Sequence, residues 1–203
     1  MPQELVDQFT RCVEDTSGRF VLLLLGLFNV DYATPRRVAG AVGHQNFLVY
    51  DRKTNTIERF EPYGAESPDE YDGPRLDREL RDYFSQRFKI SYLGPRQFCP
   101  REGFQAIQED AEDRLLAQAV GALPGTRTGF CAMWAFFYAQ LRLMNPDTPR
   151  DILQLRAIAD LRRKPGHLTQ RIVDYTIFFE RLYRVHFRGN SPFEHSQDHF
   201  GGV

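Results

Sequence analysis

At 203 residues the chain is long enough for one sizeable hydrophobic core, and no Ser/Gly-rich linker divides it, so a single domain over residues 1–203 is expected. Its 26 basic and 27 acidic residues leave a net charge of −1, without the basic excess of a duplex-nucleic-acid or membrane-surface binder. The three cysteines, Cys12, Cys99 and Cys131, are odd in number, far apart and without C-x-x-C spacing; they suggest neither a disulfide framework nor a zinc site, and an intracellular, reducing compartment suits them.

In chain order, residues 2–12 read as a helix. The run Phe20-Val21-Leu22-Leu23-Leu24-Leu25-Gly26-Leu27-Phe28 is too short to span a bilayer and reads as a buried central strand. Residues 47–50 and 57–60 alternate as two strands of a β-hairpin around Asp51-Arg52-Lys53-Thr54-Asn55-Thr56. An acidic, proline-bearing loop over 64–73 leads into an amphipathic helix over 74–88, with Leu76, Leu80, Tyr83 and Phe84 at helical spacing and Arg75, Arg78 and Arg81 on a solvated face. Residues 89–93 form a short strand. Residues 95–129 are irregular apart from a helix over 108–120, and Pro124-Gly125 marks a turn. The last third is helical. One helix runs from Cys131 to Met144-Asn145-Pro146, Thr148-Pro149 opens another, and an amphipathic one covers 167–187 before a Gly-bearing tail over 188–203. There is no repeat. This order predicts an α+β fold, a small antiparallel sheet flanked by helices.

The most informative stretch is Gly129-Phe130-Cys131-Ala132-Met133-Trp134-Ala135-Phe136-Phe137-Tyr138, which sets a thiol at the N-terminus of an almost wholly apolar helix. The first helical turn carries unpaired N–H groups and about half a positive charge, which favour a thiolate there. A helix apolar on all sides is expected to be a buried central one, so the thiol would sit on a rigid element.

A cysteine nucleophile needs a base, and the base needs a third group to orient it. The hairpin offers both. His44 precedes its first strand and Glu61 ends its second, with the pairing centre expected between Arg52 and Lys53, so the two are cross-strand neighbours or nearly so. Pro62 forces an extended backbone on Glu61 and ends the strand there.

The segment Gly43-His44-Gln45-Asn46-Phe47-Leu48-Val49-Tyr50-Asp51, the string Phe60-Glu61-Pro62-Tyr63-Gly64 and the distant Cys131 helix resemble the adenovirus-protease and SUMO-deconjugating superfamily of cysteine peptidases, in particular a branch associated with large DNA viruses. The resemblance covers about residues 43–143; residues 1–40 and the helical part over 148–187 match no family pattern. It implies Cys131 as nucleophile, His44 as base and then acid, Glu61 as the group orienting the imidazole, and a glutamine as oxyanion donor. The family has this glutamine a few residues before the cysteine, but here none lies between Gln118 and Cys131. Gln105, framed by Pro100 and Gly103, is the candidate, and Gln108 the alternative.

The resemblance further implies cleavage of peptide or isopeptide bonds in a protein or peptide substrate, in polyprotein processing or removal of a ubiquitin-like modifier, within host cytoplasm or virion. No cofactor is needed. Relatives that cut after Gly-Gly follow the histidine with Trp; here Gln45 follows, and the single tryptophan, Trp134, reads as core. The terminal Gly201-Gly202-Val203 would be such a site if that specificity held. His167, His186, His195 and His199 make no zinc pattern with any cysteine, so no metal is expected. Two rival readings remain: an acyltransferase on the same fold, for which no basic Gly-rich cradle for coenzyme A is visible, and a catalytically silent structural or virion protein.

Overall fold

The computed structural model describes residues 3–27, 43–68, 71–108, 130–163 and 168–186. Helix α1 (Gln3–Glu14) leads into β1 (Phe20–Leu27), and β2 (His44–Asp51) and β3 (Thr56–Phe60) form the hairpin. Helix α2 (Gly73–Phe88) then crosses to β4 (Ser91–Leu93). A 3₁₀ turn (Pro95–Gln97) and a short helix α3 (Phe104–Gln108) precede α4 (Cys131–Met144), α5 (Arg150–Arg163) and α6 (Leu168–His186). The fold is α+β, as expected.

The strands lie in the order β1-β2-β3-β4. The first three are antiparallel, but β4 runs parallel to β3, because α2 carries the chain back to its starting end as a crossover. The leucine-rich β1 is not the central strand expected from its hydropathy. Among the described strands it pairs with β2 alone, and Leu22 and Leu24 are 37% and 47% exposed, so only Val21 is buried. The central position belongs to β2 and β3, whose mixed composition hid it: every residue of β2 except Gln45, and every residue of β3 except Thr56, is buried.

Strand alternation divides the core into two. On one face Leu48, Tyr50 and Ile57 meet Phe9 of α1 and Leu80 and Phe84 of α2. On the other, Phe47, Val49 and Phe60 meet Trp134, Ala135 and Tyr138 of α4, with Ala157 and Ile158 of α5 and Ile172 of α6 behind. Trp134 is core, as read, stacked on Phe104. α4 buries the i, i+3, i+4 stripe Cys131, Trp134, Ala135, Tyr138, Ala139 and Arg142, while its opposite side is half-covered, with Phe136 and Phe137 against Phe179 and Tyr175 of α6. It is therefore a layer helix with one dry face, not one engulfed on all sides. α2 begins one residue earlier than read, capped by Asp72, whose side chain accepts the Arg75 N–H, and its Arg75, Arg78 and Arg81 are exposed as expected. The helix expected over 108–120 lies outside the described residues beyond Gln108. So do His167, His195, His199 and the terminal Gly-Gly. Among the described residues no helix is long and apolar enough to cross a membrane.

A second buried group fixes α4 to the sheet. Glu58 on β3 points to the α4 face and is fully buried; its carboxylate accepts from Tyr138 Oη at 2.6 Å, from Arg142 Nε at 2.8 Å and from Arg150 of α5. Glu58→Gln leaves Arg142 buried against a neutral amide. Removing one partner of a buried ion pair costs about 3 kcal/mol or more, so the urea midpoint should fall by that equivalent; a loss under about 1 kcal/mol, the scale of a surface pair, would show that the cluster does not anchor α4.

Candidate active site

The hairpin pairs two residues out of the expected register. Phe47 stands opposite Phe60 and Asp51 opposite Thr56, around a four-residue turn centred between Lys53 and Thr54. Asn55 closes this turn at φ 49°, a left-handed position asparagine tolerates. Carried one step further, the register sets Asn46, not His44, opposite Glu61. Because the slip is by two, histidine and glutamate still share one face of the sheet, as cross-strand neighbours do. His44 is the diagonal neighbour, and its longer reach closes the gap: Nε2 lies 2.8 Å from Glu61 Oε1.

Glu61 is fully buried, and its two oxygens have separate partners. Oε1 faces His44 and accepts the Tyr63 N–H at 3.0 Å. Oε2 accepts from Asn46 Nδ2 at 2.9 Å and from the Tyr71 hydroxyl, with Arg59 Nη1 at 3.6 Å. Burial pushes the carboxyl up, but the hydrogen bonds and the nearby imidazole outweigh it and hold it below the usual carboxylate range.

Cys131 begins α4 beside His44, near enough for its sulfur to favour the charged form of the ring. With Nε2 turned to Glu61, Nδ1 is the ring nitrogen left for the sulfur. Imidazole and thiol are 8% and 5% exposed. Burial opposes charging of the ring, but Cys131 and Glu61 overcome it and hold its pKa up at about 9. The structure therefore brings Glu61, His44 and Cys131 together in that order, with the imidazole between carboxylate and thiol. Cys99 has no such setting; burial pushes its thiol up to about 12.

Gln105 is buried in the first turn of α3 and donates from Nε2 to Tyr63 Oη at 3.3 Å, while the Tyr63 ring lies 5.6 Å from that of His44. Gln108 is engaged elsewhere, accepting from Trp134 Nε1 at 2.9 Å and donating to Thr169 of α6 at 3.3 Å. Of the two glutamines, only Gln105 faces the His44 cluster. Its placement depends on two glycines. Gly64, at φ 112°, and Gly103 cross so closely that a Cβ on Gly103 would lie 2.3 Å from the Pro62 carbonyl and one on Gly64 2.6 Å from the Gly103 nitrogen. That crossing permits Gly103 N–H to bond Tyr63 O at 2.7 Å and Gln105 N–H to bond Pro62 O at 2.9 Å. Gly64 was visible in the sequence only as part of a motif; Gly103 gave no sign that it opposed Gly64. Tyr71, in the acidic loop, gave no signal at all, yet it stacks on His44 at 5.7 Å.

No family model matches the chain, and no solved structure does. Among curated proteins it is similar to a putative ankyrin repeat protein of Acanthamoeba polyphaga mimivirus, 33% identical over 132 residues. The match takes in 59% of this chain and 16% of that protein, so this chain spans a small part of its relative's length. Ankyrin units are about 33 residues of turn and paired helices. A hairpin-centred sheet of four strands is not built of them.

The folded ring titrates near 9 against 6.5 for a free imidazole, so its protonation stabilises the fold fully below about pH 6.5, and that contribution is lost as pH rises through about 9. The urea midpoint of the wild-type chain should decline across this window, and that of His44→Gln should lack the decline. Equal declines in both chains would show that the His44 ion pair is not the titrating element.

Proposed function

We propose that this chain is a cysteine peptidase, hydrolysing peptide or isopeptide bonds through Cys131, His44 and Glu61. The observation that carries this reading is the single buried cluster in which Glu61 holds one nitrogen of His44 and the Cys131 sulfur stands beside the same ring. The Cys131 sulfur, as thiolate, attacks the scissile carbonyl carbon, and the C=O electron pair moves to oxygen. The His44 imidazolium then gives its Nδ1 proton to the leaving nitrogen as the C–N bond breaks, leaving a thioester on Cys131. Water attacks the thioester while His44 takes back a proton, and collapse expels the thiolate with the acid product. Throughout, Glu61 accepts the Nε2–H and so holds the ring in the tautomer this sequence needs. Gln105 supplies an amide donor to the oxyanion beside the backbone N–H groups of the first turn of α4. No step calls for a metal or cofactor. The similarity to a viral protein supports a viral setting.

Labelling by iodoacetamide at pH 6 should fall on Cys131 far faster than on Cys12 or Cys99, and Cys131→Ala should abolish both this labelling and hydrolysis of a peptide library. His44→Ala should lower turnover by about 10²–10⁴-fold, the range for a lost acid–base group. Equal labelling of the three cysteines, or wild-type turnover without His44, would overturn the assignment.

Gln105→Ala should lower kcat by roughly 10²–10³-fold and leave the labelling rate nearly unchanged, since alkylation develops no oxyanion. Gln108→Ala should instead lower thermal stability, because it strips the Trp134 indole of its acceptor. The opposite ranking in kcat would move the oxyanion role to Gln108.

A further inference from the structure

Tyr71 lies in the loop before α2, immediately ahead of the cap residue Asp72. Its hydroxyl donates to Glu61 Oε2 and accepts from Arg59 Nη1 at 2.9 Å, and its ring lies nearly parallel to the imidazole, 25° from it, with centroids 5.7 Å apart. The phenol thus bridges two opposite charges that lie 3.6 Å apart without a direct hydrogen bond. Arg59 is buried, held behind by Asp77 at 2.8 Å; its Nη1 donates to Asn46 Oδ1 as well as to Tyr71 and is 3.6 Å from Glu61 Oε2. A guanidinium that closed this gap would pull the carboxylate off His44 and neutralise it as a partner for the imidazolium.

We infer that Tyr71 is a positioning residue for the site: by occupying Glu61 Oε2 and the facing edge of Arg59 at once, and by stacking on His44, it reserves Glu61 Oε1 for the imidazole. The role in turnover rests on the peptidase reading; the effect on His44 does not. Two donors, Tyr71 Oη and Asn46 Nδ2, pin Oε2, so the carboxylate cannot rotate about its Cγ–Cδ bond without losing both. Rotation is the movement that would break the His44 bond. The titratable and charged groups that face the imidazole and its carboxylate among the described residues are Cys131 from α4, Arg59 from β3, Tyr63 from the turn after β3 and Tyr71 itself, with the neutral amide of Asn46 from β2 beside them.

The test follows the His44 ring by NMR in the full chain, its signal assigned by loss in His44→Gln. Tyr71→Phe keeps the ring and removes the hydroxyl, so Arg59 reaches Glu61 and the His44 titration should move down by about half a unit or more. Tyr92→Phe is the control: Tyr92 also bonds to Arg59 and Asp77 in the same buried network, but it makes no contact with Glu61 or His44 among those described, and the titration should stay in place. If the chain hydrolyses peptides, Tyr71→Phe should lower kcat roughly tenfold with KM little changed, the lower end of what a hydrogen bond to a charged group is worth, and draw the alkaline limb of the pH profile to lower pH. In the wild-type chain, cross-relaxation between the Tyr71 and His44 rings should be visible without any substitution. Its absence, an unmoved titration in Tyr71→Phe, or an equal shift in Tyr92→Phe each overturns the role given to Tyr71. A chain in which His44 shifts as expected but Cys131 neither labels quickly nor hydrolyses any peptide would overturn the peptidase reading and leave the positioning role standing.

Discussion

Keeping one carboxylate ionised out of reach of water is the constraint that organises this molecule. A bare buried carboxylate costs several kcal/mol, and Glu61 is tolerated at full burial because donors reach it from four directions. Asn46 comes from the neighbouring strand, Tyr63 N–H from the turn that Pro62 initiates, Tyr71 from the loop before α2, and His44 from the start of β2. The four donors depend on three local structures, so the site exists only where hairpin, turn and loop agree. Behind them the charges alternate along a buried line, Asp77, Arg59, Glu61 and His44, in contact at 2.8 Å at either end and 3.6 Å apart in the middle.

Strand β3 uses its alternation to do this twice. Arg59 and Glu61 project to the side of α2, and Glu58 to the side of α4. One carboxylate holds the His44 imidazole; the other fixes the helix that begins at Cys131. The aromatic column adds to the second task, with Phe60 of β3 stacked on Tyr138 of α4 at 4.1 Å and 7°. A short strand with two acids and an arginine among five or six residues looks like an exposed edge by composition. It is the most deeply buried strand of the sheet because every charge on it has a partner.

How far the site was legible in the sequence follows from this. The hairpin and the helix starting at Cys131 announce themselves by periodicity and punctuation, and the pairing of His44 with Glu61 survives a two-residue slip because side-chain direction repeats every two residues. β1 was misplaced since hydropathy reports affinity for apolar surroundings and not position in the sheet; Leu22 and Leu24 stand half-exposed on a strand with one described neighbour. The polar identity of β2 and β3 masked their centrality for the complementary reason. Gly103 opposite Gly64, and Tyr71 over His44, are tertiary meetings of segments that no local pattern connects. Only a register of loops in space reveals them.

The two halves of the site are assembled by different physics. His44 and Glu61 come from one hairpin 17 residues apart, a local closure of low entropic cost. Cys131 comes from far downstream and is delivered by the packing of α4 on the sheet. Its distance from His44 therefore depends on whatever sets the pitch of that helix. Glu58 holds the far end through Arg142, and Gln108 holds the near end, one turn beyond the thiol, by accepting from Trp134. Gln108 in turn reaches Thr169 in the first turn of α6, a helix outside the region of family resemblance. A glutamine that sequence pattern offers as an alternative oxyanion donor is thus a strut between α4 and α6. Through it α6 bears on where the sulfur stands.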